Sequence, residues 1–195
     1  TGLGNRDALR IDALTATMPQ GRLEGQGEIA WAPRLSWTAT TTLAGFDPGY
    51  FAPDWPGAVN GRLRSTGTLR DDGRLRAELD ARDLGGTLRR RALSGHGQAT
   101  LDGDAVAGDI ALALGGSRIA AHGRIAAAID VDATVSPLQL NDLLPDGAGV
   151  LRGSLKLRGA RNAPDVAVDL AGNGLAVGDY RAARLQATGK LPWQR

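Results

Sequence analysis

The sequence has no cysteine, two lysines and few aromatic rings, and each shortage removes a class of protein. Without cysteine, neither a disulfide nor a thiolate metal site can form. A cytosolic and a periplasmic chain satisfy that condition equally. Lysine occurs only at Lys156 and Lys190, and the other basic residues are arginines. The net charge is +2, and the longest basic run is Arg89-Arg90-Arg91. No block of like charge is long enough to mark a nucleic-acid surface. Aromatic residues are 4% of the chain. No apolar stretch approaches the ~20 residues that span a bilayer, and no N-terminal segment has the pattern of a signal peptide. Beginning at Thr1 and ending at Arg195 without a cap, the sequence reads as a piece excised from a longer protein.

Glycine and alternation fill the space. The 28 glycines in 195 residues argue against long helices, because each interior glycine costs a helix about 1 kcal/mol. In Leu151-Arg-Gly-Ser-Leu-Lys-Leu-Arg-Gly159 every odd position is Leu or Gly and every even one is polar. That is a half-buried strand, since successive side chains point to opposite faces. The same period recurs over 23–31, 35–43, 63–69, 75–81, 106–114, 119–125, 129–135, 166–170 and 185–191. Turn residues such as Asp71-Asp72-Gly73, Asp102-Gly103-Asp104 and Gly115-Gly116 separate the runs. A dozen or so strands leave little room for helix, so the expected class is all-β.

Two segments break the alternation. Asp47-Pro48 places a cap residue before a proline at the first helical position. Ser136-Pro137 begins in the same way, and Leu140, Leu143 and Leu144 follow at helical spacing. Short helical turns are expected near 47–53 and 137–144, ended by Pro53 and Pro145. These breaks expose a repeat. At an offset of 92, Pro53, Asp54, Gly57, Gly61, Leu63 and Gly67 fall on Pro145, Asp146, Gly149, Gly153, Leu155 and Gly159. Upstream, residues 21–29 resemble 117–125 at an offset of 96. The expectation is one continuous β segment over 1–195, containing units of about 92–96 residues at roughly 21–116 and 117–195, the second incomplete.

A sheet with one apolar face must cover it. Leu, Ile and Val share the inward stripe with many Gly and Ala, which fill little volume. The pattern fits a bent sheet around an apolar groove and a flattened sandwich equally well. The groove-lining candidates are Leu43, Leu63, Leu69, Leu79, Leu101, Ile110, Leu112, Ile125, Ile129, Val131, Leu155, Leu157 and Val168. An outer-membrane barrel needs aromatic girdles at both interfaces; four Trp, two Tyr and two Phe, mostly between 31 and 55, do not supply them.

Candidate chemistry is thin. His96 and His122 each sit in a strand beside glycine without ligand spacing. Gly115-Gly-Ser-Arg118 is a turn and not a nucleophile elbow. Asp102, Asp104 and Asp109 lack the spacing of a Ca²⁺ loop, and Asp-Gly is a hairpin signal. Arg89, Arg90 and Arg91 have the donors for lipid phosphate, but a solvated hairpin is the expected reading. No catalytic residue, metal or cofactor is assigned.

Taken in order, the segments Trp37–Leu43, Phe46-Asp-Pro48, Trp55-Pro-Gly57 and Gly61-x-Leu63-x-x-x-Gly67 resemble the TamB and AsmA-like family of bridge-like lipid-transfer proteins. The second copy departs from this pattern at Leu138 and Gly147-Ala148. The resemblance implies a long antiparallel sheet folded like a taco around a hydrophobic channel. It also implies a periplasm-spanning protein anchored in the inner membrane by a segment not recognisable here. The implied role is phospholipid movement between membranes and assembly of outer-membrane proteins, with a barrel partner, TamA, docking elsewhere. Phospholipid acyl chains or hydrophobic β-strand clients would be the cargo, and no nucleic acid is implied. A scaffold templating outer-membrane strands and a purely structural adhesin-type repeat are the alternatives.

Overall fold

The computed structural model describes residues 1–191. Two compact units divide the chain, Thr1–Val106 and Ala107–Arg195, and each is taken by itself. The first unit holds β1 (Gly2–Gly4), β2 (Ala8–Thr17), β3 (Arg22–Ala30), β4 (Ser36–Phe46), a 3-10 turn (Pro48–Tyr50), β5 (Gly57–Leu69), β6 (Leu75–Leu88) and β7 (Arg91–Asp102). Strand β8 (Ala105–Leu114) runs into the second unit. There β9 (Ser117–Ile125), β10 (Ala128–Gln139), α1 (Leu140–Leu143), β11 (Ala148–Ala160), β12 (Ala163–Val177) and β13 (Tyr180–Leu191) follow. Among the described residues the strands number thirteen, and their order in the sheet is their order in the chain. An all-β antiparallel sheet with two short helical turns is therefore what the alternation specified. The side chain of Leu191, last in the alternation, and residues 192–195 lie outside the described residues.

Most neighbouring strands are joined by short turns, and the two helical turns lie in the longer connections β4–β5 and β10–β11. Arg89 and Arg90 connect β6 to β7 with φ of 51° and 61°; two successive positive φ values give the mirror-image turn that matches strand twist. The triple arginine thus forms the hairpin that was expected. Asp47 caps the 3-10 turn as its spacing implied: its carboxylate accepts the N–H of Gly49 and of Gly57, each at 2.8 Å. The second helical turn is different. Ser136 and Pro137 remain in β10, and α1 starts three residues later at Leu140, with no side-chain cap from Gln139. Asp142 holds this turn instead, through contacts described below.

Register shifts interrupt several of the strands. One strand carries an extra residue between Ile11 and Leu14 in β2, Leu43 and Phe46 in β4, Ala81 and Leu84 in β6, and Val135 and Leu138 in β10. Each bulge reverses the parity of everything beyond it. Leu14, Phe46, Leu84 and Leu138, all at even positions, therefore join a face that odd positions occupy elsewhere. This is why Ala8–Thr17 escapes a search for strict alternation although it is a ten-residue strand.

No second layer covers the apolar face among the described residues. Among the described residues the only buried hydrophobic side chains are Val59 and Leu114. The strands alternate half-buried and exposed positions, most regularly in β7. The single-layer sheet was one of the two arrangements the sequence left open. The interdigitated sandwich is not observed.

Candidate functional site

Cross-strand pairs share a face of a sheet, so register alone sorts the candidate residues. In the first unit Leu43 pairs with Leu23, Leu63 with Thr41 and Ala81, Leu79 with Ser65 and Ala99, Leu101 with Ala77, and Leu69 with Leu75. All five candidates lie on one face. In the second unit Ile125 pairs with Ile129, Val131 with Gly123 and Leu157, and Leu155 with Ala133 and Val168. Those six candidates also share a face. Ile110 and Leu112 alternate with the buried Leu114 on one face of β8. Leu79 and Ile110 are open, at 47% and 41% exposure; the other candidates are half-buried.

Small residues thin this face. Gly25, Gly27 and Ala39 line an apolar cavity of about 290 Å³ in the first unit, together with Ile11, Leu14, Ile29 and Trp37. In the second unit β11 lies so close to β12 that a Cβ on Gly153, at φ 141°, would stand 1.9 Å from the carbonyl oxygen of Asp169. Only glycine permits that approach.

The opposite face is charged. Asp132 lies between His122 and Lys156 in register. Arg158 donates to its Oδ2 at 2.5 Å and to the carbonyl of Val131 at 2.8 Å. The hydrogen bond from Arg158 holds the Asp132 carboxyl below the usual carboxylate range. Partial burial opposes that shift, and the charges of Arg158, Lys156 and His122 add to it. His122 is thus a surface neighbour of a carboxylate, 3.5 Å from Oδ2, and His96 lies exposed in β7. Asp102, Gly103 and Asp104 form the end of β7 and a turn. Among the described residues no group of three His, Cys, Asp or Glu side chains is placed to hold a metal ion. No helix there is long and apolar enough to cross a membrane.

Two contacts had no signal in the alternation. Asp142 is wholly buried and Ser117 nearly so. Ser117 Oγ donates to Asp142 Oδ2 at 2.7 Å and accepts the Gln139 N–H at 2.9 Å, while Gly116 N–H donates to Asp142 Oδ2 at 3.0 Å. This clamp fastens α1 to the β8–β9 turn. The second is made by Trp37, which lies on the apolar face paired with Ile29 and Gly67. Its indole N–H donates to Ser65 Oγ at 3.0 Å. A polar partner two positions along the neighbouring strand from the pair of a half-buried Trp has no fixed sequence spacing, so neither contact was legible.

Comparison with known proteins gives a consistent result. The family described as TamB, N-terminal domain, matches residues 1–195. The translocation and assembly module subunit TamB of Haemophilus influenzae is 24% identical over 185 residues, covering 94% of this chain and 14% of the relative. The chain therefore spans about a seventh of that relative's length. No solved structure matches.

Proposed function

The chain belongs to the TamB N-terminal-domain family, and from that premise we propose that its apolar face carries phospholipid acyl chains as part of a conduit between two membranes. The observation that carries this reading is the uncovered apolar face in each unit. Leu, Ile and Val are half-buried there against Gly and Ala, while charged residues occupy the reverse side. A face of this kind accepts a flexible methylene chain. Each buried CH₂ contributes about 0.8 kcal/mol, so ten methylenes supply roughly 8 kcal/mol before chain entropy is charged against them. Head groups would stay in water beyond the sheet. The thirteen candidates named above form the lining, and residues 21–116 and 117–195 act as two copies of one carrying unit.

In this reading the protein works in the periplasm from an inner-membrane anchor and supports outer-membrane protein assembly together with a TamA-type barrel, through a region outside these residues. No catalytic step is assigned to it. The test is mass spectrometry of ligands that copurify with the native full protein. Phospholipid at near-stoichiometric amounts is expected. Leu155→Arg puts a charge between Ala133 and Val168, where desolvation is costly, and lipid cross-linking at this face should fall. A folded Leu155→Arg variant that binds and moves phospholipid normally would remove this placement. Cross-links to polypeptide alone would favour strand templating instead.

A further inference from the structure

We infer that Trp37 is a gate on the apolar face of the first unit, parked flat in a berth made by Gly67 and Ser65; this rests on the acyl-chain reading above. The indole reaches from β4 across its neighbour β5. A Cβ placed on Gly67 would stand 2.1 Å from ring atom Cη2 and 2.2 Å from Cζ2. The backbone gives no other reason for glycine there, because Gly67 is not among the residues with positive φ. The three atoms nearest that missing Cβ all belong to the Trp37 ring. Ser65, two residues earlier on the same face, accepts the indole N–H at 3.0 Å. The ring's one donor is thereby satisfied and its rotation fixed.

The second unit supplies a contrast. Ile129 pairs with Gly159 as Trp37 pairs with Gly67. Gly159 has φ 105°, and a Cβ there would meet no atom nearer than 3.7 Å. That glycine serves its backbone, and no aromatic ring occupies the place of its missing Cβ. Gly67, Ala77 and Leu101 continue the row of Trp37 across the sheet, and with the ring seated at Gly67 a chain can pass over it. Raised, it is the bulkiest group on a face otherwise opened by Gly and Ala. Residue choice at 65 and 67 thus sets the free cross-section.

The experiment uses the full protein, with p-benzoylphenylalanine at Leu101 to capture phospholipid in the row of Trp37. A second readout is the ¹⁹F spectrum of 5-fluorotryptophan-labelled protein, the Trp37 line being assigned by its loss in Trp37→Phe. Gly67→Ala should shift that line and lower the lipid adduct at least fivefold. Gly67→Ala with Trp37→Ala should restore the adduct to within twofold of wild type, and Trp37→Ala alone should leave it intact. A double variant as deficient as Gly67→Ala would overturn the gate, since the glycine would then matter for another reason. An unshifted ¹⁹F line would overturn the berth. Absence of any adduct in the wild type would instead overturn the acyl-chain reading, and the ¹⁹F shift would still decide whether the ring sits in its berth.

Discussion

Ser117→Ala is expected to cost about 2–4 kcal/mol, because a single hydroxyl serves two buried groups at once. Ser117 is 1% exposed and Asp142 is 0% exposed. Deleting Oγ removes a hydrogen bond to a carboxylate at 2.7 Å; bonds to charged groups are worth about 1.5–3 kcal/mol. It also strips the Gln139 N–H of the acceptor it holds at 2.9 Å, and an unsatisfied buried donor costs about 1–3 kcal/mol. The two losses overlap, so they do not add in full. Urea denaturation should show a lower midpoint at unchanged slope, and thermal melting a fall of roughly 5–15 °C. Hydrogen exchange gives the local readout: the Gln139 amide should lose protection first. A loss below about 1 kcal/mol with Gln139 still protected would refute the reasoning. Water or a repacked carboxylate would then have replaced the hydroxyl, and α1 would not depend on it.

Three further perturbations test other parts of the structure. Gly153→Ala should destabilise by about 3–5 kcal/mol in the same denaturation assay, combining a strained positive φ with a Cβ driven onto the Asp169 carbonyl; a near-neutral variant would mean that β11 and β12 can separate cheaply. Arg90→Gly relieves a left-handed residue at φ 61° and should stabilise by about 1 kcal/mol, less the entropy glycine restores to the unfolded chain. For Asp132 the folded-state pKa is lowered by Arg158. Its contribution is therefore present above the unfolded carboxylate value and lost as pH falls through the lowered folded value. NMR titration should place the Asp132 carboxyl below the ordinary aspartate value, and Arg158→Met should raise it.

The alternation made most of the strands legible because an uncovered sheet imposes the simplest possible constraint, one polar and one apolar side. It failed where that constraint was locally reversed. Leu9 and Ile11 face one way, and only the bulge before Leu14 lets that even-numbered residue join them. Nothing in the composition of Asp12-Ala13 announces the extra residue. The same difficulty attends Leu84, which follows Asp83 at φ 52°; aspartate tolerates this conformation, but it is common in ordinary turns as well. At Ser136-Pro137 the cap-and-proline signature was present and the helix still began later. Val135 and Leu138 pair with β11 on either side of a bulge there, so the ladder took precedence over the local preference.

The site divides along the same line. Which residues share the apolar face follows from parity, and parity can be read from sequence. How much space lies above that face depends on which strand neighbour a side chain crosses, and that can be read only from register. Trp37 and Gly67 are thirty residues apart in the chain and become partners only because β4 and β5 align Ala39 with Ser65. A shift of one residue would put Trp37 on the charged side. The strands between the bulges must therefore hold their register closely. Their charged faces contribute to this: Asp132 meets Arg158, and Asp102 meets Arg70. Exposed pairs of this kind are worth at most about 1 kcal/mol each, too little to replace a core. Their value lies in discriminating between registers. A slip by one residue would part these pairs and put the slipped strand's charges among the apolar side chains. The uncovered apolar face is thus kept intact by the polar face behind it.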